Sequence, residues 1–180
     1  MIASVVALAL GVVAIAAGWT VSAPAEVACG PPPPPPRRGE LLTGGPLSLE
    51  AADSPGRFVA VDGDAGALVA VDAGSEFTAR RAATFVAVPG LAGEGCFSFR
   101  AADGRFLRDA SGGLGVGVAD RSAAFRREAT FCVRGGFVRG SATLEALGQR
   151  GKFVRHVDEQ MRVEPGDVRG CSFLIRAPLG

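Results

Sequence analysis

The sequence predicts an all-β fold in which one supersecondary unit is used three times. Three observations lead there. The stretch Asp120-Arg-Ser-Ala-Ala-Phe-Arg-Arg-Glu-Ala-Thr-Phe131 has an ending that recurs, in shorter form, at Arg81-Ala-Ala-Thr-Phe85 and Gly170-Cys-Ser-Phe173. A second marker moves in step with it: Gly56-Arg-Phe58, Gly104-Arg-Phe106 and Gly151-Lys-Phe153, whose Phe residues lie 48 and 47 residues apart. Two signals sharing one period define a repeat. Composition is the third observation: 26 Gly, 11 Phe and no Tyr suit short strands joined by tight turns better than helices.

Residues 1–25 come first and stand apart from the fold. Ile2 to Val21 is almost wholly apolar, and no charge appears before Glu26, so the segment is long enough to cross a bilayer. Ala23-Pro-Ala25 offers the small residues read by a signal peptidase, which predicts an export signal cleaved after Ala25. With no Lys or Arg ahead of the apolar run, an uncleaved membrane anchor is the other reading, and the only route to a membrane. Residues 26–45 form a linker in which Pro31 to Pro36 adopts polyproline II and acts as a stiff spacer. The secreted or cell-surface domain then runs over 46–180, with repeats near 47–95, 96–140 and 141–180.

Each repeat opens on an alternating segment, Leu47-Ser-Leu-Glu50, Phe97-Ser-Phe-Arg100 or Ala142-Thr-Leu-Glu145, the period-2 pattern of a half-buried strand. Turns follow at Asp53-Ser-Pro-Gly56, Ala102-Asp-Gly104 and Gly148-Gln-Arg-Gly151. The marker lies on a second strand (57–61, 105–109, 152–156), and a further turn leads to a third (67–71, 114–118, 160–163). A longer loop then reaches a fourth strand at the Thr/Ser-Phe element. None of these units can bury its apolar face alone. Closing three of them about an axis removes exposed sheet edges, which makes the architecture a β-trefoil. A β-sandwich would not require a threefold period.

Other classes are excluded by charge and residue type. The formal net charge is +1, with both signs interspersed, so no basic stripe follows a nucleic acid. Asp62-Gly-Asp-Ala-Gly66 begins like a calcium loop, but Ala73 stands where the bidentate Glu belongs, so a hairpin turn is expected. The Gly112–Gly117 run has no helix after it to receive a phosphate and reads as a turn, and Arg126-Arg127 reads as a solvated loop. One His and no CxxC pair give no zinc site, and no cofactor is indicated. Cys96 begins repeat two and Cys132 ends it. In an exported protein they are the expected bridge, contributing ~3–4 kcal/mol by chain entropy. That leaves Cys171 with Cys29 as its intramolecular mate, across the spacer.

The Asp120-to-Phe131 element, the Gly-Arg-Phe markers, and Val88-Pro-Gly-Leu91 ahead of Cys96-Phe-Ser-Phe99 resemble the arabinofuranose-binding domain of α-L-arabinofuranosidase B, carbohydrate-binding module family 42. The resemblance covers about Leu47 to Ala177. It implies a β-trefoil with up to three shallow pockets for terminal arabinofuranose, and it supports the Cys96–Cys132 bridge. The family's pockets use a His in a Tyr-Leu-Arg-His segment and an Asp opening the Asp-Gly-Ser-x-x-Phe element. Carried over, repeat three keeps His156, with Arg155 beside it, and has Asp167 for the Asp. Repeat two keeps Asp120 but has Asp109 for the His, and repeat one has Val61 for the His and Asp72 near the Asp position. The family's Asn-Tyr-Pro-Gly turn is reduced to Ser54-Pro-Gly56 and is lost in the other two repeats. At most one pocket, that of His156 and Asp167, is thus complete.

The expected function is recognition of arabinofuranose side chains on a glycan, with Asp and imidazole fixing several hydroxyls at once. A trefoil with decayed pockets that binds a protein partner is the alternative. In that reading Asp120 simply caps a turn. Glycoside hydrolysis needs two carboxylates facing each other across a cleft, and no such pair is present, so the chain is read as non-enzymatic.

Overall fold

A computed structural model describes residues 45–93, 95–166 and 170–180. The predicted export segment, the Pro-rich linker with Cys29, and Asp167 lie outside these residues. Among the described residues the chain is all-β, with twelve strands in one sheet and two short helices. Four strands make the first group: β1 (Pro46–Ala51), β2 (Arg57–Asp62), β3 (Ala65–Ala70) and β4 (Phe85–Pro89). The second group is β5 (Phe97–Ala101), β6 (Phe106–Ala110), β7 (Gly113–Gly117) and β8 (Phe131–Gly135). The third is β9 (Ala142–Ala146), β10 (Lys152–Val157), β11 (Gln160–Pro165) and β12 (Phe173–Arg176).

In each group the second and third strands form an antiparallel hairpin, β2–β3, β6–β7 and β10–β11. The Gly112 run therefore supplies both the turn and strand β7. Gly112, at φ +95, makes the reversal that a side chain would strain. First and fourth strands pair across group boundaries, β1 with β12, β4 with β5 and β8 with β9. Contacts of β3 with β7, and of β11 with both β3 and β7, join the hairpins at one end and close the sheet. Closure of this kind leaves few unpaired backbone edges.

The core sits inside. Phe85, Phe131 and Phe173, the recurring Phe of the fourth strands, have no exposed surface, nor does Phe99. Leu49, Val59, Leu107, Leu144 and Val154 fill between them. Each such side chain contributes ~1.5–3 kcal/mol through its removal from water. The alternation in the opening strands predicted one wet face. Ser48, Ser98 and Thr143 are nevertheless buried, because loops cover that face. Ser98 Oγ accepts from the Leu91 amide (3.1 Å), and Ser48 Oγ accepts from that of Leu179 (3.3 Å).

The loops before the fourth strands are where expectation and structure differ. Two of them hold helices, α1 (Phe77–Ala82) and α2 (Ala123–Glu128), so Arg126-Arg127 is helical rather than looped. Ser122 caps α2 by accepting from the Phe125 amide at 3.0 Å. Phe125 is buried, with the Arg108 guanidinium 5.8 Å above its ring. The expected Cys96–Cys132 disulfide is present, and Cys171 is buried. No helix among the described residues is long and apolar enough to cross a membrane.

Candidate functional site

The tips of the second strands carry the three positions at which chemistry was expected, and each tip meets the first turn of another group. In the third group the tip residue is His156 on β10. Its Nε2 lies 2.9 Å from Asp53 Oδ1, in the turn after β1. The other oxygen of Asp53 accepts from the Gly170 amide at 3.1 Å, and the His156 amide donates to the Gly170 carbonyl at 2.9 Å. Gly170 is required here. It sits at φ +75, and a Cβ on it would stand 2.6 Å from the His156 carbonyl oxygen. His156 is largely buried, its side chain 12% exposed, while that of Asp53 is 40% exposed. His156 Nδ1 is buried without a hydrogen-bond partner among the described residues.

Arg155 turns to the opposite side of β10. Its Nη1 stands 3.5 Å from Glu164 Oε1, and its stem passes over Gly166. Asp167, the predicted carboxylate of this pocket, lies outside the described residues.

In the second group Asp109 occupies the same register. It is buried, and both its oxygens are engaged: Oδ1 accepts from the Gly112 amide (2.9 Å) and Oδ2 from Gln149 Nε2 (2.6 Å). Asp120 is exposed and accepts from the Ser122 amide at 2.7 Å. Hydrogen bonds from Ser122 hold its carboxyl below the usual aspartate range. It shapes the entry to α2, the turn-capping role weighed for it above.

In the first group the tip residue is Val61. With Arg81, Ala102 and Asp103 it lines a shallow depression of about 290 Å³. Arg81 Nη2 donates to the Ala102 carbonyl, and Arg105 binds the Asp103 carboxylate at 2.7 Å. Burial pushes the Asp103 carboxyl up, but the Arg105 amide and guanidinium outweigh it and leave it below the ordinary value. Asp72 does not join this depression. Its Oδ1 accepts from the Gly74 amide (2.9 Å) and the Ser75 hydroxyl (3.1 Å), closing its own loop.

Of the predicted residues, then, His156, Asp109, Asp120 and Asp72 each have their own set of hydrogen-bond partners, and no two of the four bond to each other. The residue that sequence reasoning missed is Asp53. Its only signal was its position at the head of the Asp-Ser-Pro-Gly turn. No group of three His, Cys, Asp or Glu among the described residues is arranged to hold a metal ion.

Comparison with known proteins decides the family. Residues 47–172 match the alpha-L-arabinofuranosidase B (ABFB) domain. The chain belongs to that family. The ABFB domain is a non-catalytic carbohydrate-binding module. A probable alpha-L-arabinofuranosidase B of Aspergillus clavatus is 30% identical over 120 residues, which are 64% of this chain and 24% of that protein. An alpha-L-arabinofuranosidase of Hypocrea jecorina is 27% identical over 127 residues, 68% of this chain and 25% of that one. The chain thus spans about a quarter of the length of these relatives. Among solved structures, an arabinofuranosidase complexed with arabinofuranosyl-alpha-1,2-xylobiose superimposes with a TM-score of 0.72 at 23% identity, covering 76% of this chain and 31% of that one.

Proposed function

We propose that the chain is a β-trefoil in which the three strand groups are copies of one unit, and that it binds terminal arabinofuranose on glycans outside the cell through a single site in the third group. The observation that carries this reading is the His156–Asp53 pair at 2.9 Å. A largely buried imidazole is held by a half-exposed carboxylate whose second oxygen is anchored on a backbone amide. The ring orientation is therefore set before a ligand arrives, which lowers the ordering cost of binding. A carboxylate only accepts hydrogen bonds and has about four lone-pair directions. Asp53, with two protein donors, keeps capacity for sugar hydroxyls. Asp167 is the second carboxylate of this pocket in our reading.

The other two tips support a one-site protein. Asp109 has both oxygens committed to Gly112 and Gln149, and Val61 offers no polar group. A furanose held by one carboxylate–imidazole set gains ~1.5–3 kcal/mol per charge-assisted bond. With no second arabinofuranose pocket to add avidity, binding of that sugar lies near the millimolar range, about 4 kcal/mol.

Calorimetric titration of the chain with arabinofuranose-bearing oligosaccharides tests this. Saturable heat at one site per chain, lost in His156→Ala, is the expected result. No heat at millimolar sugar from folded protein contradicts it and favours the protein-binding alternative, for which the exposed Phe77 on α1 is the first surface to probe.

A further inference from the structure

A broad depression lies where the three hairpins meet. At the end of the closed sheet where β3, β7 and β11 converge, Ala67 pairs with Gln160, Arg162 with Gly113 and Ala65 with Gly115. The hairpin registers set Gly66 opposite Val61, Leu114 opposite Asp109 and Met161 opposite His156, so Gly66, Leu114 and Met161 are equivalent positions. One of these three has no side chain. Leu114 leans into the space, its Cδ2 only 2.9 Å from where a Gly66 Cβ would stand.

The flanking positions are equally unequal. By the same registers Ala65 and Gly113 correspond to Gln160, and Ala67 and Gly115 to Arg162. Two walls are therefore Ala and Gly backbone, and only β11 contributes long polar side chains. The result is an open cleft of about 740 Å³ whose apolar surface comes from Ala65, Ala67 and Val69, above the buried Leu68, Leu114 and Met161. That volume falls within the ~300–1,000 Å³ of small-molecule clefts and exceeds the needs of one monosaccharide.

The charges around the cleft are balanced. Glu159 is paired with Arg57 at 2.6 Å and Glu164 with Arg155 at 3.5 Å, while Asp62 and Arg162 add one charge of each sign. Arg162 Nη2 also donates to Gln160 Oε1 at 2.9 Å. A compensated rim gives no net attraction to an ion. An apolar floor beneath hydrogen-bonding side chains suits a neutral molecule with apolar C–H faces and many hydroxyls.

From this we propose a second glycan site: the axial cleft takes a neutral, linear oligosaccharide of at least two rings, laid on Ala65 and Ala67 with hydroxyls toward Gln160, Arg162 and Asp62. It shares no lining residue with the His156–Asp53 site and does not depend on it.

The test is amide chemical-shift titration of the full chain with xylotriose. Saturable shifts at Gly112, Gly113, Met161 and Arg162 are expected, unchanged in His156→Ala. A Cβ at Gly113 meets nothing closer than the Ala110 carbonyl oxygen at 3.7 Å, so Gly113→Phe fills the cleft without moving backbone and abolishes the shifts. Arg162→Ala, on an exposed side chain, weakens binding at least about tenfold and decides the matter if the Phe variant does not fold. No saturable shift at these amides in the wild-type chain, or wild-type affinity in either folded variant, overturns the proposal. Loss of arabinofuranose binding in His156→Ala with retained xylotriose shifts separates this site from the other.

Discussion

Asp109 and Gln149 meet side chain to side chain at 2.6 Å, in the register at which His156 meets Asp53 in the third group. Both pairs join a second-strand tip to the first turn of another group. Asp109 adds the Gly112 amide and is buried, so both its oxygens are engaged within the fold. Asp109→Ala leaves the Gly112 amide and the Gln149 amide without their acceptor. We expect a loss of ~1–3 kcal/mol in denaturant unfolding and no change in sugar affinity. A weakened affinity in the folded variant would show that the second tip still binds.

Glu50 gives a prediction in pH. The Gly56 amide at 2.7 Å lowers its carboxyl below the usual glutamate value of 4.5, burial opposes this, and Arg176 at 2.6 Å lowers it further. A folded-state pKa below the unfolded one stabilises above the unfolded value and is lost as pH falls through the folded one. Stability should hold at neutral pH and decline from about pH 4.5 downward. In Glu50→Gln the chain starts less stable and that part of the acid decline is missing, as read from unfolding curves across pH 2–7.

The Cys96–Cys132 bridge closes a span of 36 residues. Replacing both cysteines by Ser should cost ~3–4 kcal/mol of unfolding free energy through the looser unfolded chain. Sugar binding by the folded variant is expected to be unaffected, because neither cysteine takes part in the hydrogen bonds that hold His156 and Asp53. Equal stability of the two forms would show that the loop from Gly90 to Cys96, tied by the Gly90 amide to the Cys96 carbonyl at 2.9 Å, suffices by itself.

Phe85, Phe131 and Phe173 open the three fourth strands, all with no exposure. If the groups are copies of one unit, truncating any one to Ala costs a similar ~3–5 kcal/mol. A much smaller loss at one of the three would mark the group that departs from the others.

Much of the fold was legible because strands announce themselves locally. The alternation in Phe97-Ser-Phe-Arg100 and the Gly-bearing turns place β5 and its hairpin partners within a residue or two. The helices were not. Each has six residues, too few for a period of 3.6 to show, and the Ser122 cap is a single polar residue in a polar loop. The dry second face of the opening strands was hidden because Ser48 and Ser98 look solvated until loops fold over them. At the site, His156 stood out through its segment, whereas Asp53, 103 residues earlier, is brought to it by closure of the sheet between the first and third groups. No local pattern encodes such a pairing. The partner of Asp109 was equally hidden, since Gln149 lies 40 residues further along the chain.

If one sugar site is built across the first and third groups, His156 and Asp53 act in it as a unit. Calorimetric titration of Asp53→Ala, His156→Ala and the double variant with an arabinofuranose-bearing oligosaccharide tests it most directly, as a double-mutant cycle. We predict that each single substitution removes most of the binding and that the double is no worse than either. Wild-type affinity in folded Asp53→Ala would rule out a site built on this pair.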